Sequence, residues 1–206
     1  MFPFQFRDKT KPVVEMDKIS LWLKVVVACI PGAVVTLLFD DYIEAHLHTP
    51  AVIAAALIIY GIAFIVIENW NKRRTPSVAT LQDITYRTAL LIGLFQVLSI
   101  IPGTSRSGAT IVGALLIGVS RVAAAEFTFF LAVPVMFGLS AIKILKFGFS
   151  FTGEELLVLG IGTVVAFAVS VLVIKFLMGY IKKHDFKVFG WYRIALGLLV
   201  ILLMVL

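Results

Sequence analysis

The feature that most restricts the fold is a series of apolar runs close to the length of a bilayer. Residues 19–39, 50–67, 122–142, 156–178 and the run after Arg193 that ends at Leu206 carry almost no charge. A helix needs roughly 20 such residues to cross a hydrocarbon core about 30 Å thick. Inside lipid every backbone N–H and C=O must be paired, which at this run length means helix. We therefore expect an all-α integral membrane protein with about five transmembrane helices. A composition of 61% hydrophobic and 15% charged residues excludes a soluble globular domain. The 206 residues suit one polytopic membrane domain, 1–206.

Charge sets the orientation. Lys72-Arg73-Arg74, Arg87, Arg121 and Lys182-Lys183 with Lys187 fall on one side of the predicted spans, together with the basic residues before residue 19. The other side holds an acidic stretch, Asp40, Asp41, Glu44, His46 and His48, plus Lys143 and Lys146. By the positive-inside rule the first side is cytoplasmic. The net charge of +6 is thus accounted for by topology, and nucleic acid is not an expected partner. His46 and His48 lack a third ligand at motif spacing, so we expect a solvated loop there and no metal ligands. Lys24 can snorkel from one turn inside the first span, and Pro31-Gly32 is expected to kink that span. Trp191-Tyr192-Arg193 has the composition of an interfacial anchor. Cys29 is the one cysteine, which rules out an internal disulfide. Met1 to Ser20 is polar, with no signal-peptide core, and resembles an interhelical loop.

Between residues 84 and 119 the pattern changes. Arg87, Gln96 and Ser99 interrupt the apolar residues, and Pro102-Gly103 stops the helix. At about 1.5 Å per residue, 88–101 reaches some 21 Å and 109–119 about 16 Å. Neither covers the core, so a re-entrant hairpin over about 84–119 is expected instead of two full spans.

The break concentrates polar chemistry: Pro102-Gly103-Thr104-Ser105-Arg106-Ser107-Gly108-Ala109-Thr110. Glycines let backbone approach closely, and Ser105, Ser107 and Thr110 bring hydroxyls. A half-helix starting here points free N–H groups and the positive end of its dipole at the break. Arg106 adds a planar fork that matches phosphate oxygens. The set describes an anion cradle at membrane depth, where an unpaired guanidinium is costly. A Walker loop is excluded, because the Gly-Lys-Ser/Thr ending is missing.

The run from Leu94-Phe95-Gln96 through Pro102 to Ile111 resembles the second signature of the undecaprenyl-diphosphate phosphatase family of the bacitracin-resistance type. Ser120 to Phe127, Leu131-Ala132-Val133-Pro134 and Ile30-Pro31-Gly32-Ala33-Val34 are similar to flanking parts of that family. The resemblance implies a bacterial plasma-membrane enzyme that converts undecaprenyl diphosphate to the monophosphate. That reaction recycles the lipid carrier of peptidoglycan synthesis and underlies bacitracin resistance. It also implies an inverted-repeat fold, a divalent cation (Mg or Ca) as helper, a polyprenyl diphosphate as substrate, and a homodimer among the expected assemblies. Carried onto this chain, Arg106 and Ser105 take the catalytic places. Gly103, Thr104, Ser107, Gly108, Thr110 and Gln96 take the diphosphate-binding ones.

Family members open with a further repeat portion holding a Glu-x-x-x-Glu motif, a serine-rich turn and a histidine. No such segment occurs in this chain. We therefore expect a chain shortened by an N-terminal quarter and weak or inactive alone, with Glu68 and Glu126 as the remaining carboxylates near span ends. A lipid-phosphate carrier or flippase is the alternative reading, since re-entrant segments within inverted repeats also build transporters. A nonfunctional fragment is the third.

Overall fold

The computed structural model describes residues 16–148 and 151–205, the side chains of Asp40, Asp41 and Glu44 aside. The polar start up to residue 15, including Arg7, Lys9 and Lys11, lies outside the described residues. Seven α-helices follow one another: α1 Met16–Leu47, α2 Pro50–Asn71, α3 Tyr86–Val97, α4 Arg106–Leu116, α5 Arg121–Phe147, α6 Gly153–Ile181 and α7 Lys187–Val205. A 3₁₀ turn, Leu98–Ile100, extends α3. Among the described residues five helices are long and apolar enough to cross a membrane: α1, α2, α5, α6 and α7. The fold is that of an all-α integral membrane protein.

Local chemistry explains most boundaries. Thr49, Thr85, Ser105, Ser120 and Thr152 each stand before a helix in extended conformation and accept a bond from a backbone N–H of its first turn. Each hydroxyl satisfies a donor that the helix itself leaves unpaired. Thr152 and Glu155 complete a reciprocal capping box. One expected boundary moves. The stretch from residue 40 onward is not a loop, because α1 continues to Leu47. No glycine or proline interrupts it, and His46 stacks on Tyr42 one turn back, ring centroids 4.3 Å apart. The helix stops where Pro50 forces Thr49 into an extended conformation.

Residues 84–119 form a hairpin whose two ends meet. Ser77 N donates to the Gly118 carbonyl at 2.9 Å, and Ser120 N to the Val78 carbonyl at 2.9 Å. The Ser120 hydroxyl donates to the Ala79 carbonyl at 2.7 Å. The chain thus enters and leaves at the same end. Its arms, α3 and α4, are 12 and 11 residues long, too short for a span. At the far end Gly103 packs on the backbone of Ile53, three residues into α2. Fifteen residues of α2 separate Ile53 from Glu68, which is about 22 Å of helix. The hairpin tip therefore lies near the Pro50 end of α2, while its base lies near the Glu68 end.

Two apolar clusters hold the bundle. One gathers Val25, Ala28, Ile84, Ile92, Phe127 and Leu131 between α1, α3 and α5. The other gathers Phe64, Ile67, Val112, Leu115, Ile181 and Phe186 around α2 and α4. Small residues set the closest crossings: Gly61 and Gly190 bring α2 and α7 backbone to backbone. Helix α6 is different. Ile181 is its one buried residue, and nothing lies within 4 Å of the Cβ positions of Gly160 and Gly162. In a bilayer such a helix faces lipid tails, which solvate its side chains as well as a protein core would.

Candidate active site

The site is built by the turn that ends α3 and begins α4. Pro102 cannot continue a helix, and Gly103 takes φ +86, a left-handed conformation that side chains resist. Thr104 N closes the turn on the Ile101 carbonyl at 3.0 Å. Ser105 then caps α4, its Oγ accepting from Gly108 N at 3.2 Å and lying 3.0 Å from the Ser107 hydroxyl. Thr104 is buried beside Tyr60 of α2.

This turn forms the polar end of a cavity of about 490 Å³. Gly103, Thr104, Ser105, Ser107, Gly108 and Thr128 face it, as does Arg193 of α7. Apart from Tyr192 of α7, the rest of the wall is apolar, from Leu57 and Phe64 of α2 to Phe129 of α5, Leu177 of α6 and Phe189 of α7. Among the described residues no Asp, Glu or His lines it. A cavity with hydroxyls, helix N–H groups and a cation at one end and hydrocarbon elsewhere has the polarity of a lipid phosphate.

The family model described as bacitracin resistance protein BacA matches residues 2–199. The chain belongs to the BacA family. An undecaprenyl-diphosphatase of Enterococcus faecalis is 71% identical over 203 residues, 98% of this chain and 74% of that protein. One from Desulfitobacterium hafniense is 63% identical over 190 residues, 92% of this chain and 68% of that protein. One from Lachnoclostridium phytofermentans is 59% identical over 200 residues, 97% and 72% of the two chains. The chain thus spans about three quarters of the length of the relatives it matches. Five candidate spans and bacterial relatives of this family make it a multi-pass plasma-membrane protein.

Within this BacA-family chain the expected site residues divide into two groups. Gly103, Thr104, Ser105, Ser107 and Gly108 meet at the cavity. Arg106 and Gln96 do not line it. Arg106 is exposed on the first turn of α4, its charge within reach of Cys29 on α1. Gln96 is buried against Gly32 of α1, with Oε1 lacking a hydrogen-bond partner. Gln96 thus faces α1, and the Arg106 charge is felt there at Cys29.

Thr110, expected among the diphosphate-binding residues, packs behind the turn. Its side chain is fully buried, and its one O–H is directed at the Arg106 and Ser107 carbonyls, 3.1 and 3.0 Å away. Its Oγ1 also lies 3.0 Å from Thr128 Oγ1, a hydroxyl–hydroxyl hydrogen bond that links α4 to α5. Thr110→Val is expected to cost about 1 kcal/mol of stability, as loss of one interhelical bond does. Unfolding in detergent micelles checks this, with KM for a prenyl diphosphate expected to stay within twofold.

Composition places Arg193 in an interfacial anchor, whereas in the structure it turns toward the bundle. It sits on the α7 face packed against α2, with its guanidinium 5.6 Å from the Phe64 ring centroid. Its Nη2 is 3.3 Å from where a Cβ on Gly108 would lie, and Nη1 is buried with no hydrogen-bond partner. No motif joins it to the hairpin, so only tertiary packing reveals the pairing.

Glu68 is not a base for this cavity. It is fully buried and forms an ion pair with Arg121 at the start of α5. Among the described residues no three His, Cys, Asp or Glu side chains gather as a metal site would require.

Proposed function

We propose that this chain acts on undecaprenyl diphosphate, hydrolysing the anhydride to release inorganic phosphate and leave the lipid monophosphate. The observation that carries this reading is the polarity of the cavity, a hydroxyl-and-amide cradle closing one end of an apolar wall. The first turn of α4 aims its unpaired N–H groups and dipole at the position a phosphate would take. Ser105 and Ser107 add hydroxyls at the same turn. As the anhydride breaks, charge grows on the departing phosphate oxygens, and fixed donors in a water-poor site stabilise it. The wall thus supplies binding and charge stabilisation. Among the described residues no carboxylate or imidazole lines it, and we expect a slow reaction. The relatives' names support hydrolysis and lend nothing to a carrier or flippase.

A single-turnover assay suits a slow enzyme: purified chain in excess over radiolabelled undecaprenyl diphosphate in detergent. Release of labelled inorganic phosphate is expected, slowed about tenfold in Ser107→Ala, equivalent to about 1.4 kcal/mol in the barrier. Absence of release over enzyme-free controls, or equal rates for Ser107→Ala and wild type, would count against the reading.

A further inference from the structure

We propose that Arg193 is the guanidinium that grips the diphosphate in this cavity, closing across it from α7 onto the first turn of α4. The proposal rests on the diphosphatase reading and adds a positioning residue to it. Electrostatics is the starting point. The N-terminus of α4 carries roughly half a positive charge. A permanently cationic side chain facing that end is repelled by it, yet Arg193 stands there with Nη1 buried and without a hydrogen-bond partner. Among the described residues no carboxylate lines the cavity to neutralise it. An anion held between the helix end and the guanidinium removes the conflict, because both then act as donors to it.

The space for that anion is kept by Gly108. A Cβ there would lie 3.3 Å from Arg193 Nη2, 3.3 Å from Phe64 Cε2 and 3.3 Å from Ser105 Cβ. Any side chain at 108 would crowd the gap between the two donor groups. Arg193 is also held in place. Its guanidinium lies over the Phe64 ring, a contact that orients the planar fork at little cost in hydration. Its helix is locked to α2 one turn away, where Gly190 and Gly61 meet. A fork placed in this way can take two oxygens of one phosphate or bridge both phosphates of a diphosphate. A lysine point charge cannot reproduce that geometry.

Equilibrium binding of farnesyl diphosphate and of farnesol to the purified chain in micelles tests the assignment. Farnesol probes the apolar wall alone. Arg193→Ala is expected to weaken farnesyl diphosphate binding about 30-fold, as loss of charge-assisted hydrogen bonds implies, with farnesol unchanged within twofold. Arg193→Lys should recover part of the loss, and Lys182→Ala, an exposed charge outside the cavity, should change nothing. Should Arg193→Ala fail to fold, protection of the wild-type Arg193 from phenylglyoxal by inorganic diphosphate, read by peptide mass, gives the answer. Unaltered diphosphate affinity in Arg193→Ala, equal losses for farnesol, or no protection would each overturn the proposal. If the wild type binds no farnesyl diphosphate, the proposal falls together with the function it rests on. Binding that depends on Arg193 without phosphate release would leave this role standing and remove the hydrolytic reading alone.

Discussion

Arg121→Ala is expected to destabilise the bundle by about 3–5 kcal/mol, the cost of leaving a buried charge without its partner. Glu68 has no exposed surface, and its Oε2 has no hydrogen bond, so Arg121 is what its carboxylate faces. Arg121 in turn opens α5, where the helix dipole disfavours a cation. Each residue is therefore poorly placed alone, and the pair clamps the end of α2 to the start of α5. Removing both charges should do far less damage than removing one. Glu68→Leu combined with Arg121→Met is expected to return to within about 1 kcal/mol of wild type. Reversible unfolding in mixed micelles, followed by circular dichroism, compares the three chains. A loss in Arg121→Ala no larger than in the double variant would show that Glu68 is not isolated.

Gly103→Val should be the most damaging change at the hairpin, by about 2–5 kcal/mol from strain and overpacking together. The φ of +86 is unfavourable for any side chain and worse for a β-branched one. A Cβ at this position would also lie 2.6 Å from the Ile53 carbonyl oxygen and 2.9 Å from Ile53 Cα. Both are backbone atoms of α2 and cannot swing away, so the turn would have to back out and carry the start of α4 with it. Phosphate binding should fall along with stability. Gly148 provides the control, since it has φ +93 but nothing within 4 Å of its Cβ position. Gly148→Ala should show the conformational cost alone, about 1–2 kcal/mol. Equal losses in Gly103→Ala and Gly148→Ala, by the same unfolding measurement, would mean that contact with Ile53 contributes nothing.

Much of the architecture was legible in the residues because bilayer thickness is a ruler. Runs of 20 or so apolar residues appear as α1, α2, α5, α6 and α7, and two shorter runs around Pro102-Gly103 appear as the hairpin. Cap residues were equally readable, since a hydroxyl before a helix has a definite job. Faces were not. Helices α2 and α6 have almost equal hydropathy, yet 28% of the most apolar window of α2 is buried and 0% of that of α6. Lipid tails and protein cores are alike in polarity, so apolar periodicity does not mark which side meets a neighbour.

The same limit divides the candidate site. That residues 102–110 make a broken helix with hydroxyls, glycines and free N–H groups follows from local composition, because Pro, Gly and Ser act over a few adjacent positions. Only the tertiary structure decided which cation shares the cavity with them. Arg106 is in the motif but is exposed toward α1, while Arg193, distant in the chain, faces the first turn of α4. Packing likewise gave Thr110 and Glu68 partners on α5 that no local pattern announces. The direction of a side chain depends on how helices rotate against one another, and the packing of small residues such as Gly61 on Gly190 sets that rotation.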